Sequence, residues 1–170
     1  TRAVRLWSMP PITLRYKDKM FQEEGLVIAD PDFFAVFSFP QISGDLRIAL
    51  HTSYGVVISR ELSRKYFGEA NPLGERLTID GSGLNADFTV TGVVDLPANS
   101  SIRFNLLVSS QYRPDWGNAD KWNYYSAYTY VMLNKGTLPA VLEERLHAFA
   151  DEHFEHSPGN STLLKLQPLS

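Results

Sequence analysis

The chain has 170 residues, of which 44% are hydrophobic and 21% charged, and these proportions are ordinary for a globular domain. Its 16 Lys and Arg residues stand against 19 Asp and Glu residues, and no basic run exceeds two residues, which argues against nucleic-acid binding. A domain of this size buries about 70% of its unfolded surface and folds without disulfides, and the chain has no cysteine. No stretch approaches the roughly 18 apolar residues of a membrane span, so we expect a soluble chain whose membrane anchors, if any, lie outside it.

The first 28 residues alternate between apolar and polar positions, which predicts β-strands. Ile12, Leu14 and Tyr16 share one face of such a strand. Another strand, containing Leu26 and Ile28, follows a turn.

The period then changes, and a short helix is predicted. Asp30 and Asp32, with a proline between them, are typical of a helix start, where carboxylates satisfy free backbone N–H groups. Phe33, Phe34 and Phe37 follow at near-helical spacing. This helix would bury a phenylalanine-rich face.

A second helix is predicted after an apolar strand at 56–58. Ser59 can accept the first free N–H groups, and Gly68 suits the left-handed residue at the helix end. Three side chains share one face of this helix: Leu62, Tyr66 and Phe67.

Turns and strands fill the next part of the chain. We predict a tight turn at 71–74, a hairpin turn at 81–83, and a long strand at 88–94 that ends before Pro97, because proline cannot donate to a ladder. Further strands are predicted at 104–109 and, beyond an irregular loop, at 128–133.

The last part of the chain predicts one helix and one strand. Pro139 opens a helix in which Leu142, Leu146 and Phe149 share a face. A closing strand is predicted at 163–166 from its leucines.

Aromatic residues concentrate between positions 112 and 130. Rings in loops provide contact surface for peptides, sugars or proteins, and Trp116, Tyr124 and Tyr125 are the candidates for partner contact. The alternative is that rings of this stretch pack inside the domain; that alternative is favoured for Trp122, Tyr128 and Tyr130.

No catalytic, cofactor-binding or metal-binding residue is predicted. His153 and His156 lie beside acidic residues but lack the His-Glu-x-x-His and His-x-x-Glu-His spacings of helical metal sites. Asp30, Asp32 and Asp45 have no nearby general-acid partner such as histidine. There is no serine or cysteine nucleophile motif and no phosphate-binding loop, so an α+β hydrolase is disfavoured.

Three motifs occur in a fixed order. The first is Asp-Phe-Phe-Ala-Val-Phe-Ser-Phe at 32–39 with Gly-Asp at 44–45; the second spans 57–68 and continues as Asn-Pro-Leu-Gly; the third is Leu-Pro-Ala-Asn-Ser-Ser-Ile at 96–102. In this order they resemble the periplasmic core domain of MacB and FtsX-type ABC transporter permeases. The residues that carry the resemblance are Asp32, Phe33, Phe34, Phe37, Gly44, Asp45, Ser59, Tyr66, Phe67, Gly68, Asn71, Pro72, Gly74, Pro97 and Asn99.

The resemblance implies an α+β fold with two lobes. A porter-like lobe of strand-helix-strand units would contain residues 1–44 and 102–170, and a small mixed lobe, residues 45–101, would be inserted between them.

The resemblance also implies a role. The chain would be the non-catalytic extracytoplasmic domain of a permease tethered to the inner membrane, coupling ATP-driven motion of membrane helices to substrate export or release. Its partners would be those helices, an ATP-binding subunit or domain elsewhere, a second permease copy and a periplasmic adaptor. The alternative is a free-standing secreted or periplasmic module that binds a peptide or glycan through its aromatic stretch.

Overall fold

A computed structural model describes residues 1–112, 127–154 and 163–169. Within these ranges the elements in chain order are β1 (Arg2–Ser8), β2 (Ile12–Tyr16), β3 (Lys19–Glu23), β4 (Leu26–Ala29), α1 (Phe33–Val36), β5 (Gln41–Gly44), β6 (Gly55–Ser59), α2 (Arg60–Phe67), β7 (Arg76–Gly81), β8 (Leu84–Val94), β9 (Leu106–Ser109), a 3₁₀ turn (Ser110–Tyr112), β10 (Tyr128–Met132) and α3 (Pro139–His153).

All described strands join one mixed sheet in the order β10-β1-β4-β9-β6-β8-β7-β2-β3, and β5 pairs with β8 beside this path. The pairs β4–β9 and β6–β8 are parallel, and the remaining pairs are antiparallel. This mixed sheet with few helices confirms the predicted α+β class. Strand β6 pairs with β9, and β7 pairs with β2, so strands from both predicted lobes share the sheet. The division at residues 45 and 101 stays a prediction.

The sheet is apolar on both sides at its centre. Alternate residues of β4, β6 and β9 enter two separate buried clusters, as expected for strands covered on both faces. One cluster, the helix-covered face, contains residues such as Leu14, Ile58 and Tyr66 and packs under α2. The other, the aromatic face, contains Phe33 and Phe104 among its members.

Helix α2 begins and ends as predicted. The Leu62 N–H donates to the Ser59 side-chain oxygen at 3.1 Å, which satisfies one of the first free backbone donors. Gly68 has φ +62°, and its N–H donates to the Arg64 carbonyl at 3.0 Å. Leu62, Tyr66 and Phe67 are buried on the sheet side.

The predicted capping of α1 by carboxylates is wrong. Asp32 stands at the cap position, but its side chain accepts no capping hydrogen bond. The Phe33 N–H donates instead to the Asp30 backbone carbonyl at 3.0 Å. The Asp30 carboxylate accepts hydrogen bonds from the Arg5 guanidinium. Helix α1 therefore amounts to a single turn.

The C-terminal part departs from prediction in one respect. Leu142, Leu146 and Phe149 are half-buried on one side of α3, as the pattern indicated, and Ala150 is buried. The closing strand at 163–166 is wrong, because the described residues 163–169 form no ladder. The Leu166 N–H donates to the Glu143 side chain at 2.9 Å instead.

Candidate functional site

The three sequence motifs approach one another at Asp95, which follows the end of β8 and directly precedes the third motif. The Asp95 N–H donates at 2.9 Å to the carbonyl of Pro40, which directly follows the aromatic run of the first motif. Arg60, the first residue of α2 and part of the second motif, donates to the Asp95 carboxylate at 2.9 Å. The hydrogen bond from Arg60 lowers the pKa of Asp95 below its usual range, so this carboxylate stays charged at neutral pH.

The first motif forms the aromatic face. The Phe33 ring is fully buried and lies 5.0–6.0 Å from the centroids of four other rings, those of Phe34, Phe37, Phe39 and Phe104. The arrangement is mostly edge-to-face or tilted, which aromatic quadrupoles favour. These phenylalanines are therefore packing residues.

Gly44 allows two backbones to approach closely. It has φ +85°, and a Cβ at this position would lie 2.3 Å from the Thr91 carbonyl oxygen and 2.7 Å from the Gly92 Cα. Only glycine tolerates both the positive φ and this close approach of the β8 backbone. The neighbouring Asp45 carboxylate accepts both backbone and guanidinium hydrogen bonds from Arg47, at 2.8–3.0 Å, and these lower its pKa.

The remaining motif residues form turns. The Asn71 side chain accepts from the Leu73 N–H at 3.2 Å, and the Glu75 N–H donates to the Pro72 carbonyl at 3.0 Å. Gly74, with φ +82°, occupies the third position of this turn, which requires positive φ. The Ser100 N–H donates to the Pro97 carbonyl at 3.0 Å, with Asn99 exposed between them.

A buried acid fastens β3 to α2. Glu23 is 6% exposed, and its Oε1 accepts from the Tyr66 hydroxyl and the Lys65 ammonium, each at 2.6 Å. Burial, together with the bond to Glu23, raises the pKa of Tyr66 above its ordinary value, so the phenol remains protonated. Lys19 donates to the last carbonyls of α2, that of Tyr66 at 2.7 Å.

A second charged group lies at the end of β4. The Asp30 carboxylate accepts from the Arg5 guanidinium at 2.9 and 3.0 Å, from the Arg5 N–H, and from Ser110. Burial raises the pKa of Asp30, but these hydrogen bonds outweigh it and lower the pKa below the usual range. An open recess of about 570 Å³ lies beside it. The recess is lined by Ala3, Asp30, Pro31, Asp32, His51 and Gln111.

A polar groove of about 540 Å³ crosses β2, β7 and β8. The Thr78 hydroxyl donates to Asp87 at 2.6 Å, and Arg15 contacts the Met20 sulfur at 3.6 Å. Thr78 and Asp87 face each other directly across β7 and β8, so their bond joins two neighbouring strands. The groove is lined by Thr13, Arg15, Thr78, Ile79, Asp80, Asn85, Ala86 and Asp87.

In the recess beside Asp30 the His51 imidazole lies 4.0 Å from the Asp32 carboxylate, so the expectation that no histidine lies near these carboxylates is wrong. In residues 1–112, 127–154 and 163–169 no three His, Cys, Asp or Glu residues are grouped for a metal ion. His153 packs on the Phe149 ring with centroids 4.4 Å apart, and its imidazole lies 3.9 Å from Glu152. His156, Trp116, Trp122, Tyr124 and Tyr125 lie outside the described residues.

Sequence reasoning missed the long-range charged pairs. Arg60–Asp95, Arg5–Asp30 and Lys65–Glu23 join residues 25–42 positions apart, and no local pattern indicates such partners. Nothing in the sequence around Glu23 marks it as buried, because the other residues of β3 are exposed or half-buried without alternation.

The chain was compared with known families and proteins. A family model described as MacB-like periplasmic core domain matches residues 2–149. No curated protein sequence matches the chain. Within the described residues, no helix is long and apolar enough to cross a membrane.

Several solved structures are similar. A domain of a putative permease protein from Porphyromonas gingivalis is 27% identical with a TM-score of 0.73, and the match covers 99% of this chain and 79% of that one. The periplasmic region of MacB from Actinobacillus actinomycetemcomitans is 20% identical, with a TM-score of 0.63 and coverages of 88% and 65%. The extracellular domain of the noncanonic ABC-type transporter YknZ from Gram-positive bacteria is 18% identical, with a TM-score of 0.59 and coverages of 88% and 75%. The last two similarities show the fold.

Proposed function

The chain belongs to the family of MacB-like periplasmic core domains of ABC transporter permeases, and from this premise we propose that it transmits ATP-driven motion of membrane helices to a substrate outside the membrane. Export or release of that substrate would be the outcome. ATP would be bound by another subunit or domain, and the chain itself would act without catalysis. The domain would be tethered to the inner membrane through the permease helices.

One observation carries this proposal. Asp95, which precedes the third motif, is bound to Pro40 beside the first motif and forms an ion pair with Arg60 in the second, so that α2, β8 and the segment before β5 are fastened together. A domain that transmits motion needs such a rigid connection between elements distant in sequence. The pairs Arg60–Asp95, Arg5–Asp30 and Lys65–Glu23 each hold elements together that are distant in sequence, which supports a mechanical role.

The experiment uses the full-length permease with its ATP-binding partner in lipid vesicles. A donor fluorophore is attached at Ile48→Cys, a 61% exposed position, in a permease whose other cysteines outside this chain are replaced by serine, and the acceptor is a headgroup-labelled lipid. We expect ATP to change the energy transfer between domain and membrane. Equal transfer with and without ATP would contradict the proposal.

A matched pair of variants tests the role of the junction that Asp95 forms with Arg60 and Pro40. Arg60→Met removes the ion pair between α2 and Asp95, whereas Arg47→Met removes one between residues two positions apart. The Arg60 side chain is 38% exposed and the Arg47 side chain is 88% exposed. Arg60→Met should weaken the ATP-dependent change, and Arg47→Met should leave it intact.

The sequence on either side of this chain separates the proposal from the alternative of a free-standing binding module. A permease gene must encode an apolar segment of roughly 20 residues on each side. A gene with a cleaved signal peptide that stops near Ser170 would remove the transport proposal.

Three aromatic residues are the proposed partner contacts. Trp116, Tyr124 and Tyr125 are proposed to contact a periplasmic adaptor or another permease part, because aromatic rings supply contact area at small entropic cost. Alanine at all three positions should reduce co-purification of the partner without lowering the Tm of the domain. Unchanged co-purification would instead assign the rings to packing.

A further inference from the structure

The turn between β10 and α3 is flanked by exposed apolar side chains. Met132 at the end of β10 is 40% exposed, Leu138 just before α3 is 66% exposed, and Val141 in α3 is 48% exposed. The turn is closed by the Thr137 N–H, which donates to the Asn134 carbonyl at 3.0 Å. We call Met132, Leu138 and Val141 the turn patch.

Leu138 serves neither the helix cap nor the core. It stands at the N-cap of α3, where Ser, Thr, Asp or Asn is preferred because the side-chain oxygen accepts a hydrogen bond from a free backbone N–H. A leucine side chain cannot accept such a bond, and this one is largely exposed. A residue that departs from a local preference without a gain inside the chain is expected at a functional surface.

Positive charge accompanies the turn patch. Arg2 in β1 is the Cα partner of Met132, and such partners share one face of the sheet. Lys135 stands in the turn itself, and neither cation forms an ion pair with a residue that the structure describes. Residues 1–17 and 128–142 contain no Asp or Glu, although the net charge of the chain is −3. No acid in these segments therefore neutralises the two cations.

This combination fits an anionic lipid surface. Exposed apolar side chains beside unpaired cations are typical of protein segments that lie in the headgroup region of a membrane. A protein partner fits less well, because the cores of protein interfaces are depleted of lysine. The turn also lies where the chain enters the domain, since the Thr1 nitrogen donates to the Asn134 side chain. In the proposed permease the chain before Thr1 leads to a membrane helix, so lipid is close by.

We propose that the turn patch binds the anionic lipid surface of the membrane that carries the permease. The Leu138 side chain inserts among the acyl chains, while Arg2 and Lys135 contact lipid phosphates. The inference rests on the proposed function, because the permease helices hold the turn beside a bilayer. It gives the domain a contact with the membrane besides its covalent tethers.

Fluorescence quenching in the full-length permease tests the insertion. A fluorophore is attached at Thr137→Cys, next to Leu138, in a permease whose other cysteines outside this chain are replaced by serine. The vesicles contain phosphatidylethanolamine and phosphatidylglycerol with brominated acyl chains, which quench only on close approach, and no ATP is added. We expect the fluorophore at position 137 to be quenched. The same fluorophore at Ile48→Cys, an exposed position outside the patch, should not be quenched.

A matched pair of variants tests the apolar contact. Leu138→Ser removes the inserted side chain and supplies a preferred cap residue, so it should not lower the Tm. The ratio of inserted to free turn should fall about tenfold, because partial burial of a leucine side chain is lost. Ile48→Ser removes an apolar side chain of similar exposure, 61% against 66%, and should leave quenching at position 137 unchanged.

A second set of variants tests the charge. Arg2→Gln and Lys135→Gln should each lower the ratio of inserted to free turn about fivefold in vesicles with phosphatidylglycerol. In vesicles of phosphatidylcholine alone the two changes should have little effect. Lys17→Gln is the control, because Lys17 is an exposed lysine beside β3, at the opposite end of the sheet from β10.

Three results would overturn the proposal. The first is absence of quenching at position 137. The second is quenching that persists in Leu138→Ser and in the variants at Arg2 and Lys135. The third is a blue-shifted fluorophore that brominated lipids do not quench, which would assign the patch to a protein partner. Because ATP is absent, such a failure leaves the ATP-dependent energy transfer intact as a separate test of the transport role.

Discussion

The two faces of the sheet are built by different means. The helix-covered face lies under a regular eight-residue helix whose start is capped by Ser59 and whose last turn is fastened by the Tyr66–Glu23 bond. The aromatic face is covered by a one-turn helix without a side-chain cap and by irregular segments, and rings around Phe33 hold it. A regular helix distributes stability over many small contributions. The irregular cover concentrates it in a few residues, and single substitutions should show this difference.

The largest effect is expected from Phe33→Ala on the aromatic face. Removing a fully buried ring with four ring neighbours should lower the free energy of unfolding by about 3–5 kcal/mol, because transfer and cavity costs add. Urea unfolding measures it. Leu62→Ala on the helix-covered face is the comparison, with an expected loss at the lower end, about 2–3 kcal/mol. Equal losses would remove the contrast between the faces.

Gly44→Ala should follow, with a loss of about 3 kcal/mol. Strain at positive φ and overlap with a packed backbone each cost about 1–3 kcal/mol, and both apply here. Gly74→Ala is the matched control, because its φ is +82° but no atom lies within 4 Å of its added Cβ. It should cost only the strain, about 1 kcal/mol. Thermal unfolding of both variants separates overlap from strain.

Tyr66→Phe probes the polar fastening of the helix-covered face. Loss of a buried hydrogen bond to a carboxylate should cost about 2 kcal/mol, more than Tyr16→Phe, whose hydroxyl meets Glu75 in a half-buried position. The variant should also change how the free energy of unfolding depends on pH above about 10. The unfolded phenol ionises near pH 10, whereas the folded pKa is raised, so the folded state holds more protons and stability falls as pH rises above about 10. Tyr66→Phe should therefore lose less stability as pH rises, measured as a smaller decrease of its urea unfolding midpoint.

The smallest effect distinguishes the two helix starts. Ser59→Ala should cost about 1 kcal/mol through loss of the cap on α2. Asp32→Ala should leave the free energy of unfolding nearly unchanged, since the Asp32 side chain caps nothing. A comparable loss at Asp32 in chemical denaturation would show that its carboxylate contributes through a longer-range interaction.

The sequence predicted caps and turns correctly where local interactions determine the backbone conformation. The caps of α2, the turn at Asn71–Gly74 and the hairpin at 81–83 each follow from one residue type with one backbone requirement. It failed at Asp30, because a carboxylate suited to a cap met a more favourable partner, Arg5, 25 residues away. It failed again at the strand predicted for 163–166, where the Leu166 N–H donates to the Glu143 side chain of α3 and not to a neighbouring strand. Both failures arise from tertiary contacts that no local window contains.

The candidate junction was predictable only in part. Asp95 and the start of α2 were each placed correctly, as a strand end and a helix start. Their ion pair and the bond to Pro40 depend on sheet order, which a single sequence does not encode in any local pattern. The close approach at Gly44 was equally unpredictable from local sequence, because the requirement for glycine comes from strand β8.

The strand order also governs when the domain can fold. Residue Arg2 of β1 pairs with Met132 of β10, and β4 pairs with β9, which the ribosome makes about 80 residues later. Contacts this distant in sequence slow folding, because the entropy cost of closing a long loop arises before the contacts can stabilise the chain. Strands β1 and β4 can pair with each other early, but their second neighbours, β10 and β9, are absent until most of the chain has been synthesised.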